Sequence, residues 1–130
     1  MTGNEDELFD PESKKHGVAH LFAATRYSLG GLNRAVGESA FRQELVAGII
    51  VLIVYAFVGV NAQAYVISIC LFLLTFAVEA LNTAIELIID RTSPEISQYG
   101  KEAKDLGSFA VFCTLVANGL FAVWTIWSAL

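Results

Sequence analysis

Three acid or amide side chains interrupt the second of three long apolar stretches in this sequence, and a fourth lies at its end. They are Glu79, Asn82, Glu86 and Asp90. At about 100° per residue, their spacing brings them within about 80° of one another on a helix. A carboxylate at the centre of a bilayer costs about 2.5–3.5 kcal/mol on insertion scales, so acids in such a segment are functional candidates. The spacing therefore predicts one polar line along a helix, with acids that could accept a proton or bind a metal ion.

The depth of these acids indicates which chemistry they suit. We expect Asp90 at the membrane surface, which puts Glu79 about 16 Å back along the helix axis, just under the headgroups. That depth suits a base that takes a proton from the polar end of a lipid. Glu86, nearer to water, suits a metal ligand shared with a phosphate. Such residues could instead form hydrogen bonds between helices or a proton path across the membrane.

A second group of charges flanks the apolar stretches. It comprises Glu38, Arg42, Glu44, Lys101, Lys104 and Asp105. Mg²⁺ takes one or two carboxylates together with substrate phosphates, and lysine binds phosphate as a point charge. This rim could hold a magnesium-bound nucleotide, although each residue taken alone also fits ordinary interfacial charge. Neither GxxxxGK[ST] nor GxGxxG occurs, so spacing alone does not identify a nucleotide.

The elements that must position these residues are membrane helices. The sequence has 130 residues, of which 55% are hydrophobic and 16% charged, which is too apolar for a small soluble domain. We predict an all-α membrane protein with spans at about 41–60, 65–89 and 107–130, since about 20 residues cross the hydrocarbon core. The net charge of -5 and the absence of a basic stripe argue against a nucleic-acid partner.

The remaining sequence divides into a tail and a surface helix. Residues 1–16 are predicted to be a polar, disordered tail, and residues 17–130 a single membrane domain. Residues 17–36 fit an amphipathic helix on the membrane surface, which Gly30 and Gly31 could interrupt. Basic residues precede the first span and lie between the second and third. The N-terminus is therefore predicted to be cytoplasmic and the C-terminus periplasmic.

Four motifs together resemble the prokaryotic diacylglycerol kinase family over residues 17–130. They are ESAFRQE at 38–44, VEALNTAIE at 78–86, DR at 90–91 and AKDLGS at 103–108. The resemblance implies a small three-span enzyme of the bacterial inner membrane. It also implies a homotrimer whose active sites form between subunits near the cytoplasmic surface. Such an enzyme transfers the γ-phosphate of MgATP to the primary hydroxyl of 1,2-diacylglycerol and produces phosphatidic acid.

The resemblance also implies a role for individual residues. Glu79 matches the general base, and Glu38 and Glu86 match the ligands of the Mg²⁺ that accompanies ATP. The positions that match nucleotide-binding residues are Tyr27, Glu38, Asn82, Glu86, Asp90, Glu95, Ile96, Ser97, Lys104 and Asp105. The positions that match the lipid site are Ala40, Phe41, Arg42, Gln43, Glu44, Glu79 and Ser108.

Two departures from the family pattern limit this assignment. His20 stands where the family usually has arginine, and the chain is one residue shorter between Tyr27 and Glu38, so roles within 29–37 do not carry over. The rival enzyme is undecaprenol kinase, but the sequence FRQE at 41–44 favours the diacylglycerol branch. Two functions without phosphoryl transfer also fit acids in a membrane helix: a small proton-coupled transporter and a structural subunit of a membrane complex. A polar line that reaches one membrane surface only argues against the transporter.

Overall fold

The computed structural model describes residues 18–92, 95 and 97–130, and these residues form helices and short connections. The helices are α1 (Val18–Gly37), α2 (Ser39–Val58), α3 (Ala62–Thr92) and α4 (Gln98–Ala129). The prediction of an all-helical protein is therefore confirmed for the described residues. The tail predicted at 1–16 lies outside them.

The described residues fall into two units, which divide between Arg34 and Ala35. In the described part of the first unit, the helix continues through Gly30 and Gly31 without the interruption that the sequence left open. Glycine costs a helix only about 1 kcal/mol relative to alanine, so two of them do not by themselves end it. The helix ends at Gly37, after which Ser39 begins α2.

Helices α2, α3 and α4 are each long and apolar enough to cross a membrane. They contain 20, 31 and 32 residues, which correspond to about 30, 46 and 48 Å of helix at 1.5 Å per residue. Both longer helices exceed the hydrocarbon thickness of about 30 Å. They also continue into polar sequence beyond the predicted spans, α3 as far as Thr92 and α4 from Gln98 onward. The extra turns of α4 begin at Ser97, whose side chain accepts a hydrogen bond from the Gly100 N–H at 3.0 Å.

A tight turn joins α2 to α3. Gly59 adopts a left-handed conformation with φ 76°, which glycine reaches without a steric penalty. Its N–H donates to the Tyr55 carbonyl at 2.9 Å, and Asn61 Oδ1 accepts from the Ala64 N–H at 2.9 Å. These bonds satisfy groups that a helix end leaves unpaired. The short connection makes α2 and α3 antiparallel neighbours.

Polar side chains lie inside the three-helix bundle, and many large apolar side chains lie on its outside. Between α2 and α3, Tyr55 Oη and Ser68 Oγ share a hydrogen bond of 3.0 Å. Between α3 and α4, Asn118 Nδ2 donates to Thr75 Oγ1 at 2.8 Å. This distribution is typical of membrane helices, because lipid offers no hydrogen bonds and polar groups pair within the protein. The most extensive packing joins α3 to α4, and α2 contacts both.

Candidate active site

Glu79 of α3 lies at the centre of a group of acids. Its side chain is only 7% exposed, as is that of Glu44 on α2. Glu38, Glu44 and Glu86 are each close enough to Glu79 to interact with it electrostatically. These four residues form what we call the carboxylate cluster. Like charges held together in a bundle of apolar helices are costly, and such sites typically bind cations or handle protons.

A polar path leads from the carboxylate cluster toward the end of α3. Asn82 is 8% exposed, and its Nδ2 donates to Glu86 Oε1 at 3.2 Å. Further along α3, Asp90 accepts a hydrogen bond of 2.5 Å from Lys104 Nζ of α4, and the Asp90 side chain is 66% exposed. Lys104 also interacts electrostatically with Glu86. The predicted polar line therefore runs from a buried acid to an exposed ion pair.

Residues at the start of α2 complete the site, together with the residues of α3 and α4 described above. Glu38 occupies the N-cap position of α2, but its side chain makes no capping hydrogen bond. Arg42 Nη1 donates to the carbonyl oxygens of Val36 at 3.0 Å and Gly37 at 2.8 Å. The Arg42 guanidinium therefore fixes the backbone that directly precedes Glu38. The sequence pattern had indicated Arg42 only as a rim charge and a lipid-site position.

The other predicted positions before α3 differ in their environment. Phe41 is buried, and its ring centroid lies 4.8 Å from that of Phe76 on α3. Ala40 and Gln43 are exposed on α2. Tyr27 belongs to the first unit, where its side chain is exposed. These positions therefore differ in accessibility, from the buried Phe41 to the exposed Tyr27.

Predicted positions at the start of α4 are mostly exposed. Asp105 and Ser108 are exposed on this helix, and Glu95 is exposed before it. Ser97 caps the helix through its side chain. Ile96 lies outside the described residues.

Gly107 is a contact of the site to which the sequence pattern assigned no role. It is buried on α4 against Asn82, and a Cβ at this position would overlap Asn82 Oδ1. Asn82 Oδ1 is itself buried, and no described residue forms a hydrogen bond with it. The sequence could have indicated this contact, because glycine is unfavourable in a helix interior and its presence there often reflects close packing.

The donors present suit Mg²⁺ bound together with a phosphate. The described residues contain no group of three or more His, Cys, Asp or Glu that could by itself hold a metal ion. Glu38 and Glu86 both interact electrostatically with Glu79, so their carboxylates share one anionic environment. Mg²⁺ is usually bound by one or two carboxylates, with substrate phosphates and water as its other ligands. The residues therefore fit a magnesium ion that arrives with a nucleotide.

Comparison with known proteins agrees with this geometry. The family model described as prokaryotic diacylglycerol kinase matches residues 26–126. A diacylglycerol kinase of Sinorhizobium sp is 54% identical over 116 residues, which cover 89% of this chain and 85% of the relative. The diacylglycerol kinase of Pseudomonas aeruginosa strain PAO1 is 44% identical over 109 residues, 81% of this chain and 86% of the relative. That of Escherichia coli strain K12 is 34% identical over 113 residues, 86% of this chain and 93% of the relative. With carboxylates on a span-length helix and a family match over most of its length, the chain belongs to the prokaryotic diacylglycerol kinase family.

Proposed function

We propose that this protein transfers the γ-phosphate of MgATP to the primary hydroxyl of 1,2-diacylglycerol, with Glu79 as the general base. Membership in the family supports a lipid acceptor and ATP as the donor. The observation that carries the assignment to Glu79 is its burial, at 7% exposure, at the inner end of the polar path on α3. A base in this place meets a hydroxyl that enters from the lipid side while the nucleotide enters from water.

The reaction makes limited demands on the protein. The hydroxyl oxygen of diacylglycerol forms a bond to the γ-phosphorus, and the bond to the oxygen that bridges the β- and γ-phosphorus atoms breaks. ADP leaves, and the hydroxyl proton moves to the carboxylate of Glu79. Phosphoryl transfer depends mainly on positioning and on stabilising charge. Lys104, held by Asp90 at the exposed end of the path, attracts the phosphates as a point charge.

Glu38 and Glu86 would hold the magnesium ion. When bound, Mg²⁺ would neutralise charge on the phosphates, which lowers the barrier to attack by an oxygen nucleophile. The hydrogen bond from Asn82 Nδ2 to Glu86 Oε1 orients that carboxylate before the nucleotide binds. Residues that orient a metal ligand in this way contribute strongly to metal affinity.

The proposal includes a homotrimer in the bacterial inner membrane, with active sites shared between subunits. Many large apolar side chains on α2, α3 and α4 are exposed, and neighbouring subunits and lipid would cover them. Residues 17–36 would lie on the membrane surface as an amphipathic helix, with a cytoplasmic N-terminus and a periplasmic C-terminus. Native mass spectrometry in detergent tests the trimer, and a mass of one or two chains would contradict it. Cysteine-accessibility labelling of the 91–104 segment in intact cells tests the orientation.

Phosphorylation of defined lipids tests the activity. The purified protein is incubated with γ-³²P-labelled ATP, Mg²⁺ and either 1,2-dioleoylglycerol or undecaprenol. We expect labelled phosphatidic acid that depends on Mg²⁺, and the same preparation of Glu79→Gln serves as the negative control. Labelled polyprenyl phosphate without phosphatidic acid would refute the proposed acceptor. Undecaprenol is not favoured as the acceptor, because the relatives compared above are named diacylglycerol kinases.

A further inference from the structure

The contact between Asn82 of α3 and Gly107 of α4 is unusually close. A Cβ built on Gly107 would overlap Asn82 Oδ1 and would lie 3.1 Å from Asn82 Cγ. The overlap involves the end of the Asn82 side chain, and its Cβ is 3.7 Å away. A methyl group at position 107 would therefore displace the amide of Asn82 before it displaced either helix.

The same amide makes a bond to the carboxylate cluster. Asn82 Nδ2 donates to Glu86 Oε1 at 3.2 Å, while Asn82 Oδ1 is buried and has no hydrogen-bond partner among residues 18–92, 95 and 97–130. A buried acceptor without a partner is unfavourable. Because a Cβ on Gly107 would overlap this oxygen, the Cα–H that it would replace faces the oxygen, as in the Cα–H···O contacts between packed helices. The amide is thus confined by α4 on one side and bonded to Glu86 on the other.

We propose that Gly107 is a positioning residue for phosphoryl transfer. Because it lacks a side chain, the Asn82 amide can lie against α4 in the one orientation that presents Nδ2 to Glu86. The orientation of Glu86 thereby depends on α4, although no side chain of α4 is needed for this effect. The inference rests on the proposed function in one respect: the proposed function assigns Glu86 as a ligand of Mg²⁺.

The first test examines the amide itself and needs neither metal nor substrate. Side-chain NH₂ resonances are recorded for ¹⁵N-asparagine-labelled protein without Mg²⁺ or ATP, and that of Asn82 is identified by its loss in Asn82→Ala. We expect this resonance to shift in Gly107→Ala. The matched control is Gly119→Ala in the same helix. Apart from the adjacent backbone of α4, no atom of the described residues lies within 4 Å of the added Cβ, and we expect no shift there. An unmoved Asn82 resonance in Gly107→Ala would overturn the inference.

The second test measures the Mg²⁺ concentration that gives half-maximal diacylglycerol phosphorylation. We expect Gly107→Ala to raise it about tenfold or more, as is typical when the support of a metal ligand is lost, and Gly119→Ala to leave it within about twofold. If Gly107 acts through Asn82, its substitution should add less than about twofold in the Asn82→Ala background, because coupled positions are not additive. A further tenfold rise in that background would overturn the inference.

The two tests separate the inference from the proposed function. A shifted Asn82 resonance with an unchanged Mg²⁺ requirement would overturn the inference that Gly107 affects metal binding, whereas the ligand role of Glu86 itself is tested by Glu86→Gln. If Gly107→Ala fails to fold, the double variant with Asn82→Ala decides the matter, since it removes the overlapping atoms. Folding of the double variant alone supports the contact. Failure of both variants would show that Gly107 is required for helix packing in general, against the inference.

Discussion

Replacing Glu79 by glutamine removes a base and a charge but keeps the shape of the side chain. A positioned general base contributes about 10²–10⁴-fold to a rate, which corresponds to about 2.7–5.4 kcal/mol of activation free energy at 1.36 kcal/mol per tenfold. We therefore expect kcat of Glu79→Gln to fall about 10²–10⁴-fold. MgATP affinity should change by less than about threefold, because Glu38 and Glu86 remain.

The structure also predicts the sign of the effect on stability. Glu79 interacts electrostatically with Glu38, Glu44 and Glu86. Glutamine carries no charge, so the variant loses the repulsion between residue 79 and these three acids. Loss of a buried structural hydrogen bond would instead destabilise the fold by about 1–3 kcal/mol. We expect the unfolding midpoint of Glu79→Gln in mixed micelles containing SDS to equal or exceed that of the unsubstituted protein.

The assays combine steady-state phosphorylation of dioleoylglycerol, binding of a non-hydrolysable MgATP analogue, and unfolding in SDS. Glu102→Gln is the matched control. It makes the same change of charge at an exposed residue of α4 that is bonded to Gln98, and its kcat should be unchanged. Turnover of Glu79→Gln within tenfold of the unsubstituted protein would refute the base assignment. Reduced stability would show that the residue has a structural role.

Three further substitutions test other parts of the structure. Glu86→Gln should raise the Mg²⁺ concentration for half-maximal activity by at least about 10–100-fold, because residues that only orient a metal ligand already contribute that much to affinity and Glu86 is the proposed ligand; an unchanged Mg²⁺ titration would contradict this role. Asn118→Leu removes the hydrogen bonds that Asn118 Nδ2 donates to Thr75 Oγ1 and to the Leu71 and Thr114 carbonyls. It should lower the free energy of unfolding by up to about 1.7 kcal/mol, since hydrogen bonds between membrane helices average about 0.6 kcal/mol and reach about 1.7. KM for ATP should not change in that variant, and an altered KM would argue against a purely structural bond. Asp90→Asn breaks the exposed ion pair with Lys104 and should raise KM for ATP without changing the SDS unfolding midpoint; an unchanged KM would show that Asp90 does not position Lys104 for phosphate binding.

The apolar stretches and the polar line on α3 could be predicted from the sequence for a local reason. A chain in lipid satisfies its backbone hydrogen bonds by forming helices, so composition alone indicates helices there. The spacing of Glu79, Asn82 and Glu86 then places them on one face. Helix ends were less predictable, because hydropathy indicates only the part of a helix that lies in lipid and not the turns that continue into polar sequence. Helix α4 begins at Gln98, well before the apolar residues, since the Ser97 cap starts the helix in polar sequence.

How the helices face one another was decided only by the tertiary structure. Apolar residues occupy most faces of α2 and α4, so the sequence pattern does not indicate how either helix is rotated about its axis. Side-chain packing set those rotations. It brought Glu44 of α2 beside Glu79, paired Asn118 with Thr75, and placed Gly107 against Asn82. The acids were evident in the sequence, whereas their grouping depends on contacts between residues far apart in the chain, which local periodicity does not encode.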